Sequence, residues 1–308
     1  MRTRGVLVVG DGPAGCAAAI AAARAGCEVT MVGSGRARPV PECASLAALG
    51  LLDWLAPELA TEPQIWLDAP TQAGRAVDRG QLDGGLRAAA VRAGVDYRHM
   101  AAAGLRPAMV SGRVVGMTGG GLDVEDRWVI DASGVNGWLR RHLRLEEVID
   151  SRPWWLQRGF GTRIAEQGDP SFNIASHGWL WRRATASGCI WTALSSMRGG
   201  AVNWPSGMQP TGRIWLEKRH WRHLRCASGA GYFVCGDAAG YLDPATGDGL
   251  RFALESGARA GGLAAAALRW SERASVASAL YADWVLQTYR AGRAALVDIY
   301  ERAGLQVR

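Results

Sequence analysis

The sequence predicts an α/β chain: a doubly wound, Rossmann-like nucleotide-binding domain with an inserted antiparallel sheet and C-terminal helices. Three observations carry this expectation. Gly10, Gly12 and Gly15 stand at G-x-G-x-x-G spacing between the apolar run Val6-Leu7-Val8-Val9 and an alanine-rich segment at 16–25. A second glycine–acid stretch, Gly236 to Gly249, follows another apolar run, Tyr232-Phe233-Val234-Cys235. Between them, residues 151–225 are strand-patterned and hold eight of the fourteen tryptophans, a change of texture that marks a separate sheet.

The elements follow in order. Residues 5–9 read as a buried parallel strand, because four successive apolar residues suit a strand covered on both faces. A helix over 14–25 follows at once, then a strand over 28–32. That order aims a helix N-terminus and bare backbone N–H groups at a pyrophosphate. Gly10 permits the tight turn, Gly12 the close approach of phosphates, and Gly15 the packing of helix on strand; Pro13 and Ala14 complete the loop. A short helix lies within 43–55, where Leu46, Leu49 and Leu52 recur at helical spacing. Residues 62–77 form a strand region or excursion broken by Pro63 and Pro70. Asp78-Arg79 opens a helix that runs to about 93 and ends at Gly94, followed by a strand at 95–99. Residues 105–130 alternate short strands around Gly119-Gly120-Gly121 and finish in Trp128-Val129-Ile130. In the tryptophan-rich stretch the clearest strand is Cys189-Ile190-Trp191-Thr192-Ala193-Leu194, and a helix is expected near 211–224. A strand at 231–235 and two helices, about 247–268 and 273–303, close the chain. The resulting division is discontinuous: residues 1–150 and 226–308 bind the nucleotide, and residues 151–225 form a substrate-binding sheet.

Composition narrows the function. The chain has 308 residues, 48% hydrophobic and 20% charged, as in soluble globular proteins. No apolar run is long enough to cross a membrane. Arg2 and Arg4 before an apolar run imitate a leader, but Gly10, Asp11 and Pro13 cut that run short. Six scattered cysteines without a C-x-x-C pair argue against a zinc site or a disulfide framework and for a reducing, cytoplasmic setting. The net charge is +7, almost wholly from arginine, with Lys218 the single lysine. The arginines are dispersed, so no nucleic-acid partner is expected. His220 and His223 stand at i, i+3 on the expected helix, a spacing open to a metal. Lys218, Arg219 and Arg222 around them repel a cation, and no metal site is expected.

The second glycine–acid stretch repeats the logic of the first. Asp237, at the end of a strand, can accept hydrogen bonds from sugar or ribityl hydroxyls, and the helix starting near Gly247 offers free N–H groups. Ligands of open α/β sheets bind at the carboxyl ends of strands, so two loops far apart in sequence can converge on one extended cofactor.

Four motifs, GDGPAG at 10–15, DRGQLDGGL at 78–86, VIDASG at 129–134 and GDAAGYLDPATGDGLRFALESG at 236–257, resemble the flavoprotein hydroxylase superfamily. That superfamily includes aromatic hydroxylases, geranylgeranyl-reductase-like enzymes, flavin-dependent halogenases and tryptophan-oxidising flavoproteins. The resemblance implies FAD as cofactor. Gly10, Gly12 and Gly15, with Pro13 and Ala14, would hold its pyrophosphate and Arg79 would lie near its phosphate arm. Gly236 and Asp237 would meet the ribityl or pyrophosphate region. Pro244, Gly247, Asp248, Gly249 and Leu250 would pass beside the isoalloxazine ring, with Pro244, Gly247 and Gly249 at the reacting centre. His177 is the histidine expected near substrate. Trp179, Trp181 and Trp191 offer ring faces to an aromatic substrate, with Arg182 or Arg183 as anchor for an anionic group.

The implied activity is monooxygenation of an aromatic or other electron-rich substrate, a small molecule or a peptidyl residue, through a flavin hydroperoxide. NAD(P)H or reduced flavin from a partner reductase would supply electrons. The alternatives are a geranylgeranyl-reductase-like reductase or dehydrogenase, and a non-catalytic flavin-binding partner protein. Three departures from the family pattern stand out. The ribose-binding acid expected about twenty residues past the glycines is replaced by Gly33, leaving Ser34 to give one hydrogen bond. The W-x-W-x-I-P motif and early lysine of the halogenases are missing, since Trp179-Leu180-Trp181 continues into Arg182-Arg183-Ala184. The same residues match the start, but not the end, of the aromatic-x-Trp-x-Phe-Pro motif of the reductase branch.

Overall fold

A computed structural model describes residues 5–36, 40–68, 74–121, 123–125, 127–162, 171–198 and 208–307; Pro70 and Trp204 lie outside them. The chain begins with β1 (Gly5–Val9), buried along its whole length, α1 (Pro13–Arg24) and β2 (Glu28–Gly33). Next come β3 (Pro41–Ala44), α2 (Leu46–Leu55), β4 (Arg75–Asp78), α3 (Arg79–Arg92) and β5 (Asp96–His99). A hairpin of β6 (Arg106–Val110) and β7 (Arg113–Thr118) precedes β8 (Arg127–Asp131), α4 (Trp138–Leu143) and β9 (Glu147–Ile149). Then follow β10 (Trp154–Gly161), β11 (Ser171–Ala175), β12 (Gly178–Thr185), β13 (Gly188–Ser195) and β14 (Pro210–Arg219). The last elements are β15 (Arg222–Leu224), β16 (Ser228–Gly229), β17 (Tyr232–Val234), β18 (Gly240–Tyr241), α5 (Gly249–Arg269) and α6 (Ala274–Arg302).

The main sheet has the order β16-β17-β8-β1-β2-β5, parallel throughout except for β16. From β1 the chain proceeds to β2 and β5 on one side, then crosses to β8 and β17 on the other. Loops leaving β1 and β8 therefore diverge, and a crevice opens between them at the carboxyl ends of the strands. Asp131, the buried last residue of β8, shapes its side of that crevice: its carboxylate accepts the N–H groups of Ser133 at 2.9 Å and Leu139 at 2.7 Å.

Helices α1 and α5 carry the two glycine loops at their N-termini and lie against each other without intervening side chains. A Cβ on Gly257 would sit 2.1 Å from the Ala14 carbonyl oxygen, and one on Gly261 would sit 2.2 Å from that of Ala18. Two glycines four residues apart share one helix face, so α5 presents a bare stripe to the alanine face of α1.

The inserted antiparallel sheet has the order β11-β12-β13-β10-β14. On one face Trp154, Leu156, Trp179 and Leu194 meet Trp221, Leu296, Tyr300 and Leu305. On the other, Leu180, Cys189, Trp191 and Ala193 form a smaller core with Met208. Alternate residues of each strand serve the two faces.

One expectation fails here. The helix expected near 211–224 is β14, paired antiparallel with β10 through Trp215–Arg158, Glu217–Leu156 and Arg219–Trp154. Ile214 and Leu216 point outward, 44% and 46% exposed, while Trp215, Glu217 and Arg219 turn inward. This period of two belongs to a strand. The helical premise for His220 and His223 falls with it. His220 follows β14; His223 lies on β15 with Nδ1 3.3 Å from the Asp150 carboxylate and its ring 4.5 Å from that of Tyr289. Burial holds the His223 imidazole below its usual range, so the neutral ring is favoured. Residues 41–44, not expected as a strand, form β3, which pairs with β4. Among the described residues no helix is long and apolar enough to cross a membrane.

Candidate active site

Both glycine loops open into a single cavity of about 770 Å³. Of the residues expected at a cofactor, Gly10, Gly12, Pro13, Ala14, Ser34, Arg79, Asp237, Pro244, Asp248, Gly249 and Leu250 line it. Gly15, Gly236 and Gly247 are not part of the lining. Gly15 lies against Gly10, whose carbonyl oxygen is 1.9 Å from where a Cβ would be. The Gly236 N–H donates to Ser256 Oγ at 2.9 Å. Gly247, at φ +69, ends the short 3-10 turn Pro244–Thr246. These three shape the loops from behind.

The cavity suits a long anionic ligand. Gly12 caps α1 and Asp248 caps α5, and neither makes a side-chain capping bond. The Asp248 carboxylate turns instead to Arg251 Nε at 2.8 Å. Two helix ends with unsatisfied N–H groups, each carrying partial positive charge, thus face one space. Gly10 and Gly15 are glycines because protein atoms fill the place of their side chains. Gly12 is different, since a Cβ there would meet nothing within 4 Å. Its bareness serves the cavity and not the packing of the fold.

Polar groups further along the cavity await partners. The Tyr241 hydroxyl and Arg158 Nε belong to lining residues, are buried, and lack a hydrogen bond, a costly condition that a polar ligand would relieve. The Asp237 carboxylate makes no hydrogen bond to a described residue, and burial pushes its pKa upward. Arg79 is differently placed. Its guanidinium bonds Glu42 and, at 3.2 Å, Asp83, so its charge is matched within the protein. The donor-rich helix ends, the open Gly12 and these polar groups fit the pyrophosphate and hydroxyl-bearing arm of FAD.

One wall of the cavity comes from residues of the inserted sheet that the sequence does not single out. Leu156 and Arg158 of β10, and Trp215, Glu217 and Arg219 of β14, line the cavity. The residues expected to meet substrate lie elsewhere. Trp191 is fully buried in the outer core and donates to the Phe160 carbonyl at 2.8 Å. Arg182, on the same outer face, donates to Ser171 Oγ at 2.6 Å. Trp179 donates to the Tyr300 hydroxyl at 2.6 Å, and Trp181 packs on the same cluster. Arg183 is bound to Asp68 and to the Gly74 carbonyl. His177 sits in the β11–β12 turn, its carbonyl accepting the Ser196 N–H at 3.0 Å. Strand order is the reason: the cavity abuts β10 and β14, whereas Trp179, Trp181 and Arg182 belong to β12, two strands away from β10. The alternation Trp215, Glu217, Arg219 is the signal the sequence offers for this wall.

Behind Pro244 lies a buried hydrogen-bonded cluster. Asp243 Oδ2 accepts the Trp221 indole N–H at 2.6 Å, and Oδ1 accepts the Tyr300 hydroxyl at 2.7 Å and the Ala245 N–H at 3.1 Å. Burial outweighs these bonds and pushes the Asp243 pKa up to about 6. The folded chain therefore holds this proton more tightly than the unfolded chain, where an aspartate titrates near 3.9. The stabilisation is present below the unfolded pKa and is lost as pH rises through about 6. In urea titrations from pH 4 to 7, the stability of the wild type relative to Asp243→Asn should fall by about 2 kcal/mol. A pH-independent difference contradicts the raised pKa.

Comparison with known proteins agrees with this architecture. The Pyridine nucleotide-disulphide oxidoreductase family matches residues 4–60. Digeranylgeranylglycerophospholipid reductase 2 of Methanothermobacter thermautotrophicus is 29% identical over 267 residues, 75% of this chain; the chain spans 64% of that relative's length. The myxobacterial chondrochloren halogenase CndH, an FAD-dependent halogenase, superposes with a TM-score of 0.77 at 19% identity, covering 97% of this chain and 83% of its own. The peptidyl tryptophan dihydroxylase QhpG, which serves tryptophylquinone cofactor biogenesis, gives 0.68 at 21% identity, covering 94% and 72%. The likeness to CndH and QhpG shows that the chain shares their fold, and the family match covers the first glycine loop and the helix that follows it.

Proposed function

We propose that this chain is an FAD-dependent monooxygenase acting on an aromatic or other electron-rich substrate. The observation that carries the reading is the continuity of one cavity from Gly12, past Gly249, to a wall containing Trp215 and Tyr241. A coenzyme held at both helix ends would finish beside aromatic ring faces and basic side chains, an environment suited to a flat, electron-rich ligand. Gly10, Gly12, Pro13 and Ala14 would hold the pyrophosphate, Asp237 the ribityl hydroxyls, and Pro244, Asp248, Gly249 and Leu250 the edge of the isoalloxazine. FAD supplies the redox chemistry; the protein contributes binding, orientation and exclusion of water. On this reading residues 1–150 and 226–308 bind the coenzyme and the sheet at 151–225 roofs the substrate. Leu156, Arg158, Trp215, Glu217 and Tyr241 replace Trp179, Trp181, Arg182 and Trp191 as the substrate set. Arg158 and Arg219 can meet an anionic substituent. Electrons would come from NAD(P)H or a partner reductase.

A second reading, reduction of a carbon–carbon double bond, is favoured by the similarity to the archaeal reductase. Anaerobic reduction of the FAD-loaded protein, then mixing with ¹⁸O₂ and indole or phenol probes, separates the two. Rapid reoxidation with label in the probe is the expected result. Slow reoxidation without label, together with saturation of an isoprenoid alkene, overturns it in favour of reduction.

A further inference from the structure

The acid missing from the end of β2 is supplied from a neighbouring loop. Gly33 occupies the place where dinucleotide-binding folds carry the carboxylate that holds the adenosine ribose. A Cβ on Gly33 would lie 2.2 Å from Asp11 Cγ, 2.3 Å from Asp11 Cβ and 2.6 Å from Asp11 Oδ2. The carboxyl group of Asp11, between the first two motif glycines, thus fills the volume that a side chain at position 33 would occupy. Its Oδ2 accepts the Gly35 N–H at 2.8 Å and the Tyr97 hydroxyl at 2.9 Å, with Arg87 Nη1 at 3.9 Å. No described donor engages Oδ1, and Asp11, Gly33 and Ser34 all line the cavity.

We propose that Asp11 is the ribose-binding acid of this chain, moved from the end of β2 into the glycine loop, with Oδ1 accepting the adenosine ribose hydroxyls of FAD. The orientation is fixed before the ligand arrives. Tyr97 and the Gly35 N–H hold one carboxylate oxygen, so the other is presented without rotameric freedom, and an ionised acceptor makes the stronger hydrogen bond to a hydroxyl. Gly33 is then required for a specific reason: any side chain there would collide with Asp11. The inference rests on the reading of FAD as cofactor.

The test is equilibrium binding of FAD, ADP and FMN to wild type, Asp11→Asn and the double variant Asp11→Gly/Gly33→Glu, which removes the Asp11 Cβ that would lie 2.3 Å from a Cβ at position 33. FAD and ADP contain the adenosine ribose, and FMN does not. The Asp11→Asn change retains an amide oxygen for the Gly35 and Tyr97 donors, so the loop keeps its support. That variant should bind FAD and ADP about 10-fold more weakly and FMN with a change of less than about twofold. The double variant, with its acid returned to β2, should recover FAD affinity to within about threefold. Equal effects on FAD and FMN, or none on either, overturn the proposal, and so does a double variant that fails to recover FAD affinity, because a loop disturbed only structurally is not repaired by an acid on β2. Should the wild type bind neither FAD nor FMN, the cofactor reading itself fails, and that outcome is distinct from a failure of Asp11 alone.

Discussion

Gly12→Val should abolish useful FAD affinity while leaving the apoprotein as stable as the wild type. Gly12 has φ −79 and ψ −175, an extended conformation that a β-branched residue adopts readily. A Cβ there meets no protein atom within 4 Å, so the added side chain starts in open space and the fold should lose little. The same side chain projects into the cavity at the N-terminus of α1, where the pyrophosphate must come within hydrogen-bond distance of backbone N–H groups. Losing those charge-assisted bonds corresponds to a drop in affinity of about 100-fold or more. Flavin fluorescence titration measures the binding and thermal unfolding of the apoprotein measures the fold. FAD binding within about threefold of wild type would show that the phosphates lie elsewhere.

Gly257→Ala should have the opposite profile and unfold much of the protein. The added methyl would stand 2.1 Å from the Ala14 carbonyl oxygen, and that neighbour is backbone, unable to swing aside. The helices must separate, with consequences along the whole α1–α5 contact. Overpacking of this kind costs about 3 kcal/mol at the upper end of its usual range. Gly262→Ala, five residues further along the same helix, provides the control. Its Cβ meets nothing within 4 Å and the position is exposed, so better helix propensity should stabilise by about 0.5–1 kcal/mol. Urea midpoints of the two variants should move in opposite directions. Similar shifts for both would mean that α1 and α5 are not in direct backbone contact.

The glycine loops are legible in the sequence because their residues answer steric demands that no other residue type meets. Gly10 and Gly15 can be placed from spacing alone, and the turn after Pro244 follows from the Asp-Pro and Thr-Gly pattern. The cavity wall formed by β10 and β14 is less legible. In β14 the apolar residues Ile214, Trp215 and Leu216 are consecutive, because the strand is an edge with one side to solvent and the other to the cavity. Its alternation is therefore carried by Trp215, Glu217 and Arg219, which resemble an ordinary mixture of surface residues. The tryptophans of β12 and β13 are conspicuous as large rings, yet Trp191 and Trp179 are used for packing. Asp11 is hidden for another reason. An acid expected at the end of one strand can arrive from the adjacent loop, and only a three-dimensional arrangement shows that both positions address the same volume.

The direct backbone contact of Gly257 with Ala14 joins positions about 240 residues apart in the chain. During synthesis, α1 must keep its small-residue flank vacant until most of the polypeptide has emerged, and the inserted sheet must form without borrowing it. Closing so long a loop is slow relative to local folding. A coenzyme held at both helix ends, as proposed, can be captured only once this docking has occurred, so acquisition of FAD should report assembly of the two ends of the chain and not the appearance of its first phosphate-binding turn.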